Sequence, residues 1–345
     1  PDPPMTLSDE RCNNLTRSET KSRMARDADA PTQGNTIHSL ERRMKIRIEN
    51  NRVFVDLVAK GCGVGCKYCY ISAPSATVEP LTATELKVVL RRVEQIVHDS
   101  RNDSKPLLAI GCDTEIDASR VVQERANECL QFAQKHRLPL QIATKFPLSQ
   151  QLLARLNCWP AQCPMPTVFT TITTVSLFRQ LEPGAPPPAE RARNFTTGRQ
   201  RWLSYALVKP FLPASAKDSR GLLDLFLRSR PDGVVVGVHY RRGDHFVDKS
   251  KKSFEHPYNR DWHSSGLSQQ AREFVSLLQM HDIRTFATTR CVTAWHNKTN
   301  HGQSVKRHSP ELCVNCGACE TFTTNGADKK VQQYEWREES VDETS

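Results

Sequence analysis

Cys62, Cys66 and Cys69 are the residues of this chain best placed to do chemistry. They have the spacing CxxxCxxC within Gly61-Cys62-Gly63-Val64-Gly65-Cys66-Lys67-Tyr68-Cys69-Tyr70, directly after a strand-like run over 53–60. Thiolates at this spacing suit one face of a 4Fe-4S cubane. Three thiolates leave one iron without a protein ligand, and an open coordination position is what separates a catalytic metal site from a closed structural one. Glycines at 61, 63 and 65 let the backbone wrap a cluster closely, because they carry no Cβ. Two plainer readings stand beside this one. A zinc knuckle would need a fourth ligand that the loop does not contain, and the three cysteines could instead be unrelated core thiols.

A second group follows far downstream. Cys313-Val314-Asn315-Cys316-Gly317-Ala318-Cys319 is CxxCxxC, and Cys291 lies upstream to act as a fourth ligand. Four thiolates would close an auxiliary 4Fe-4S cluster with an electron-transfer or structural role, and structural zinc is the competing occupant. The stretch between carries His296, Lys298, His301, Lys306, Arg307 and His308, which places a basic cover near a site mouth. Of the other cysteines, Cys12, Cys112, Cys129, Cys158 and Cys163, Cys129 falls within a helical pattern and reads as a core thiol. His239, His245, His256 and His263 match no metal spacing and read as surface residues.

These residues sit on a chain of 345 residues, long enough for one large α/β domain with appendages, since single cores commonly reach about 250 residues. No run approaches the roughly 18 to 20 apolar residues of a membrane span, and the start Pro1-Asp2-Pro3-Pro4 lacks the marks of a signal peptide. Seven of the 12 cysteines fall into the two metal-type groups, which favours a reducing compartment. The expectation is a soluble cytoplasmic protein. Net charge is +10, with the excess on residues 51–320. A basic body permits a nucleic-acid partner, but no alternating aromatic and basic stacking platform is present, so nucleic acid is not favoured.

Residues 1–48 read as a polar, flexible leader. From Val53 strands and helices alternate. Strands are expected at 53–60, 106–112, 140–145, 167–174, 203–210 and 233–238. Helices are expected at 82–100, opened by the Thr82-x-x-Glu85 capping box, and at 118–137, 149–157, 187–200, 218–230 and 268–282. Such alternation predicts a parallel sheet of βαβ units over 49–240. A polar insertion with the last helix follows at 241–285. An auxiliary cluster extension at 286–325 and an acidic tail at 326–345 complete the chain.

The cysteine loop, with aromatic Tyr68 just before its third cysteine, resembles the signature of the radical S-adenosylmethionine (radical SAM) superfamily. The resemblance implies a partial (β/α)6 TIM-like barrel with a C-terminal cluster-binding extension. It also implies that SAM chelates the open iron and is reductively cleaved to a 5′-deoxyadenosyl radical, which abstracts hydrogen from the substrate. An electron donor such as flavodoxin or ferredoxin is then expected. The family's Gly-Gly-Glu-like segment after the second strand is replaced here by Gly111, Asp113 and Glu115, so the acid that holds the methionyl ammonium is open between the last two. Lys145, Thr171 and Thr173 end the third and fourth strands, where they suit the SAM carboxylate, although threonines are also simply good strand formers. Cys112 is placed to donate hydrogen to a substrate radical.

Thr-Lys after the third strand, Thr-Thr at the fourth and Leu181-Glu182-Pro183-Gly184-Ala185-Pro186 with Arg191 resemble the branch that includes spore photoproduct lyase, over about residues 53 to 240. That places Glu182 and Arg191 near the ribose or carboxylate of SAM, against the plain alternative of a surface acid and a surface arginine. The resulting expectation is an enzyme acting on a small molecule or peptide. The alternatives are a nucleic-acid-modifying enzyme of the same kind and a non-catalytic iron–sulfur or zinc protein.

Overall fold

The computed structural model of the chain describes residues 46–49, 52–69, 77–99, 105–112, 114–196, 201–237 and 269–296. Strand β1 (Ile46–Glu49) pairs antiparallel with β2 (Arg52–Val55), and β3 (Val58–Lys60) pairs with β4 (Glu79–Pro80) in a small separate sheet. Then come α1 (Ala83–Asp99), β5 (Leu107–Ile110), α2 (Arg120–His136), β6 (Leu140–Thr144), α3 (Gln150–Asn157) and β7 (Thr167–Thr171). Three short helices follow: α4 (Phe178–Leu181), α5 (Pro188–Arg191) and α6 (Arg193–Thr196). The described chain ends with β8 (Leu203–Val208), α7 (Pro213–Lys217), α8 (Ser219–Ser229), β9 (Gly233–Val236), α9 (Gln269–Met280), β10 (Thr285–Phe286) and α10 (Thr289–His296).

The large sheet has the order β1-β2-β5-β6-β7-β8-β9-β10, and every pairing from β2 onward is parallel. Strands therefore succeed one another in chain order, as repeated βαβ units require. One polar contact joins distant parts of this sheet: Arg52 Nη1 of β2 donates to Thr289 Oγ1, just beyond β10, at 3.2 Å.

Alternation along the strands feeds two main cores. Val53, Val55, Leu108, Ile110, Leu140, Ile142 and Val168 pack against Leu86, Val89 and Val93 of α1, Leu130 of α2 and Leu152 of α3. Phe169, Tyr205, Val235, Phe226, Phe274 and Phe286 form the other. Each such side chain contributes roughly 1.5–3 kcal/mol on burial. Gly233 in β9 is where two rings meet: a Cβ there would lie 2.9 Å from Phe286 and 3.3 Å from Tyr205, whose rings stand edge to face at 5.8 Å. The capping box is formed, with Glu85 N donating to Thr82 Oγ1 at 3.2 Å and Thr82 N to Glu85 Oε2 at 2.7 Å.

Several expectations shift in detail. The strand read over 53–60 is broken at Asp56 and Leu57, so β2 belongs to the large sheet and β3 to the small one. The sheet starts at Ile46, within the expected leader, and β10 adds a parallel strand beyond the expected six. The helix read over 187–200 is split into α5 and α6. Among the described residues, no helix is long and apolar enough to cross a membrane. Cys313, Cys316, Cys319, most of the insertion and the acidic tail lie outside the described residues.

Candidate cluster-binding site

The cysteine loop leaves β3 through Gly61 and turns again at Gly65, both in the left-handed region at φ 80° and 62°. Side chains adopt that region only at a cost, so glycine is required at these two bends. Cys69 N donates to Cys66 O at 3.1 Å and closes the last turn. Val64 and Tyr68 are buried, whereas Cys62, Cys66 and Cys69 are half-buried thiols outside any disulfide. The loop thus anchors on Val64 and Tyr68 and leaves its three cysteines half-buried.

A strap over residues 181–184 lies on this loop. Lys67 N donates to Leu181 O at 2.8 Å, and Gly184 N donates to Val64 O at 2.9 Å. A Cβ on Gly184 would stand 2.1 Å from Gly63 O and 2.9 Å from Val64 Cα, so the two backbones touch.

Beneath the strap is a buried polar network. The Tyr68 hydroxyl donates to Glu182 Oε1, as does Thr173 Oγ1 at 3.2 Å. Arg191 Nη1 donates to Glu182 Oε2 and to Thr171 O, and its Nε donates to Pro186 O at 2.6 Å. Glu182 and Arg191 are both fully buried. The alternative of an exposed acid and a helix-surface arginine is therefore overturned.

A second charged group comes from the ends of β5 and β6. Glu115 Oε1 accepts from Thr144 Oγ1 at 2.6 Å and from Lys145 N at 2.7 Å, and Lys145 Nζ lies 3.9 Å from Glu115 Oε2. Burial pushes the Glu115 carboxyl up, against the pull of Lys145 and these hydrogen bonds. Burial works against the charge on Lys145, but Cys66, Glu115 and Glu182 outweigh it and hold the ammonium above its ordinary range. Burial pushes the Cys66 thiol up to about 12, with Lys145 pulling the other way. Cys62 is likewise raised by burial, opposed by the backbone N–H of Val64. Such thiols lose their protons on ligating a metal.

The structure thus brings Cys62, Cys66, Cys69, Tyr68, Glu115, Lys145, Thr171, Thr173, Glu182 and Arg191 into one region. Gly111 has φ 69°, and a Cβ there would lie 2.2 Å from Ala143 O, so its lack of a side chain serves the packing of β5 against β6. Asp113 lies outside the described residues. Cys112 accepts from Gln141 Nε2 at 3.2 Å. Cys129 is fully buried in the first core. Cys291 packs in the second core and accepts from Thr288 Oγ1 at 3.3 Å, while its three expected co-ligands lie outside the described residues.

Sequence reasoning missed two positioning residues. Asp218 accepts from Val175 N and Ser176 N, both at 2.8 Å, and from the hydroxyls of Thr174 and Ser176. Asn194 bonds Leu148 N, Phe146 O and Thr170 Oγ1, tying α6 to the ends of β6 and β7. The one signal for Asp218 was its place at the start of the helix expected over 218–230. Asn194 had none.

The loop's chemistry fits a cluster better than a single ion. Among the described residues, no group of three or more His, Cys, Asp or Glu side chains is set to hold a metal ion. Three half-buried thiols on one loop, with the Lys145 ammonium near Cys66, are a donor set that suits a cubane face, whereas a closed structural zinc needs a fourth ligand that the loop does not contain.

No family model matches the chain, and no curated protein does. Similar solved structures include SuiB of Streptococcus suis bound to the precursor peptide SuiA, with TM-score 0.49 and 10% identity over 81% of this chain and 62% of that one. Methylornithine synthase PylB has TM-score 0.41 and 15% identity over 81% of this chain and 78% of its own. The radical SAM methyltransferase TsrM of Kitasatospora setae has TM-score 0.39 and 13% identity over 61% of this chain and 39% of its own. The chain spans about three fifths of the SuiB chain.

Proposed function

We propose that this chain is a radical SAM enzyme of the branch resembling spore photoproduct lyase, built on a partial (β/α)6 barrel. The single observation that carries the reading is the three-thiol loop beside the ends of parallel strands, with half-buried Lys145 and buried Arg191, Glu115 and Glu182 packed under it. The contact from Arg52 to Thr289 supports a sheet curled enough to bring β2 and the end of β10 together. Active residues of such sheets gather where the strands end.

Cys62, Cys66 and Cys69 would hold a 4Fe-4S cluster. When bound, that group supplies an electron and an open iron for the amine and carboxylate of SAM. The chain's own part is to hold and screen. Lys145 keeps an ammonium beside Cys66, offsetting thiolate charge and offering N–H donors to a carboxylate. Glu115, fixed by Thr144, is the acid available to an ammonium. Val64 and Tyr68 seal the inner side of the loop from water. Substrate is a small molecule or peptide, and Cys291, Cys313, Cys316 and Cys319 would hold an auxiliary cluster that passes electrons. A flavodoxin- or ferredoxin-like protein would deliver the first electron.

Anaerobic reconstitution with iron and sulfide, followed by dithionite and SAM, tests the reading. The native chain should release 5′-deoxyadenosine and Cys66→Ala should not. Absence of the nucleoside, or equal amounts from both, refutes it.

A further inference from the structure

We infer that Glu182, held by Arg191, is a positioning residue that sets the cysteine loop through the hydroxyl of Tyr68 before any cluster is bound. The inference rests on the reading above for the identity of the cluster, while the geometry is the chain's own. Three links join the loop to the strap. The backbone bonds from Lys67 to Leu181 and from Gly184 to Val64 fix where the loop lies. The third, from Tyr68 to Glu182, is the one made by a side chain, that of the residue between Cys66 and Cys69, and the same hydroxyl lies 3.5 Å from Thr173 Oγ1.

The network behind that third link is referenced to the sheet. Glu182 Oε1 takes Tyr68 and Thr173, Oε2 takes Arg191, and Arg191 is itself gripped by Thr171 O at the end of β7 and by Pro186 O in the strap. Position therefore passes from strand to arginine, to carboxylate, to phenol, to the loop. The phenol ring packs on Leu181 and Leu212, with Cys66 against the same cluster. A fully desolvated ion pair is a costly way to accept two hydroxyls, because the Coulombic gain barely repays the loss of hydration. What the pair provides that a neutral acceptor would not is a charge-assisted bond of fixed direction and a compensated negative charge beside Cys66.

Two variants test this in the full-length protein. Tyr68→Phe keeps the ring and its packing but deletes the hydroxyl. In the metal-free chain, amide hydrogen exchange at residues 66–69 should accelerate about tenfold, the loss of one charge-assisted bond, while β8 and β9 stay protected. Glu182→Gln keeps an acceptor for Tyr68 but leaves Arg191 uncompensated, so in the iron-loaded protein the midpoint potential read by electron paramagnetic resonance should move positive. A residue that only filled space would leave that potential unmoved. Unchanged exchange in Tyr68→Phe overturns the inference, as does an unmoved potential in a folded Glu182→Gln. Neither measurement uses SAM, so a chain that failed to make 5′-deoxyadenosine would still answer both.

Discussion

Gly184→Ala probes how tightly the strap holds the cysteine loop. The added methyl would stand 2.1 Å from Gly63 O, 2.9 Å from Val64 Cα and 3.0 Å from Val64 O. Non-bonded carbons pack at roughly 3.5–4.0 Å, so one backbone must retreat by about 1 Å or more. Both sides are main chain and neither has a rotamer to turn. Retreat breaks the bond from Gly184 N to Val64 O and strains the one from Lys67 N to Leu181 O. Overpacking of about 1–3 kcal/mol plus about 1 kcal/mol for a lost hydrogen bond puts the loss at about 2–4 kcal/mol. Gly184 is not among the left-handed glycines, which are Gly61, Gly65 and Gly111, so alanine meets no backbone penalty there and the loss reports the contact alone. Urea denaturation gives the stability, and iron and sulfide assays after reconstitution give the loading. The expected result is a lower midpoint with substoichiometric iron. An alanine variant with an unchanged midpoint and full iron content would show that the loop does not rest on the strap.

Asp218 makes stability depend on acid. Burial alone would raise its carboxyl, but hydrogen bonds from Thr174, Ser176 and Val175 together outweigh it and hold the group below the usual carboxylate range. Its contribution is therefore complete above the unfolded value of about 3.9 and lost as pH falls through the lower folded one. Asp218→Asn should flatten the urea-midpoint curve below about pH 4, and a wild-type slope in the variant would contradict the assignment. Phe226→Ala, in the second core and edge-on to Phe195 at 6.4 Å, should cost about 3–5 kcal/mol yet leave iron loading intact well below its melting temperature. Loss of iron there would show that the cysteine loop depends on that core.

Periodicity made most of this architecture readable. Apolar runs at Leu107–Ile110, Leu140–Thr144 and Gly233–Val236 could be placed because strands buried on both faces carry near-continuous hydrophobics. The edge strand β1, reading Ile-Arg-Ile-Glu, hid in a polar leader because it is four residues long, two of them charged, and its Ile48 is itself exposed. The break at Asp56 and Leu57 was invisible because the residues on either side share one β-prone composition. At the site, cysteine spacing located the loop and motif order located the strap. Nothing in the sequence showed that Glu182 would find Arg191 and Tyr68, since that meeting depends on how three separate segments converge. Asn194 is the extreme case: its three partners lie 24 to 48 residues away.

The loop and its strap are far apart in the chain, since Tyr68 and Glu182 are separated by 114 residues. At ribosomal speeds of about 5–20 residues per second, the cysteines emerge roughly 6 to 23 seconds before the segment that holds them. During that interval they belong to an unfinished nascent chain, open to oxidants and stray metals. Completion of the loop is thereby ordered in time: its backbone bonds to Leu181 and Gly184 can close only once synthesis has passed residue 184.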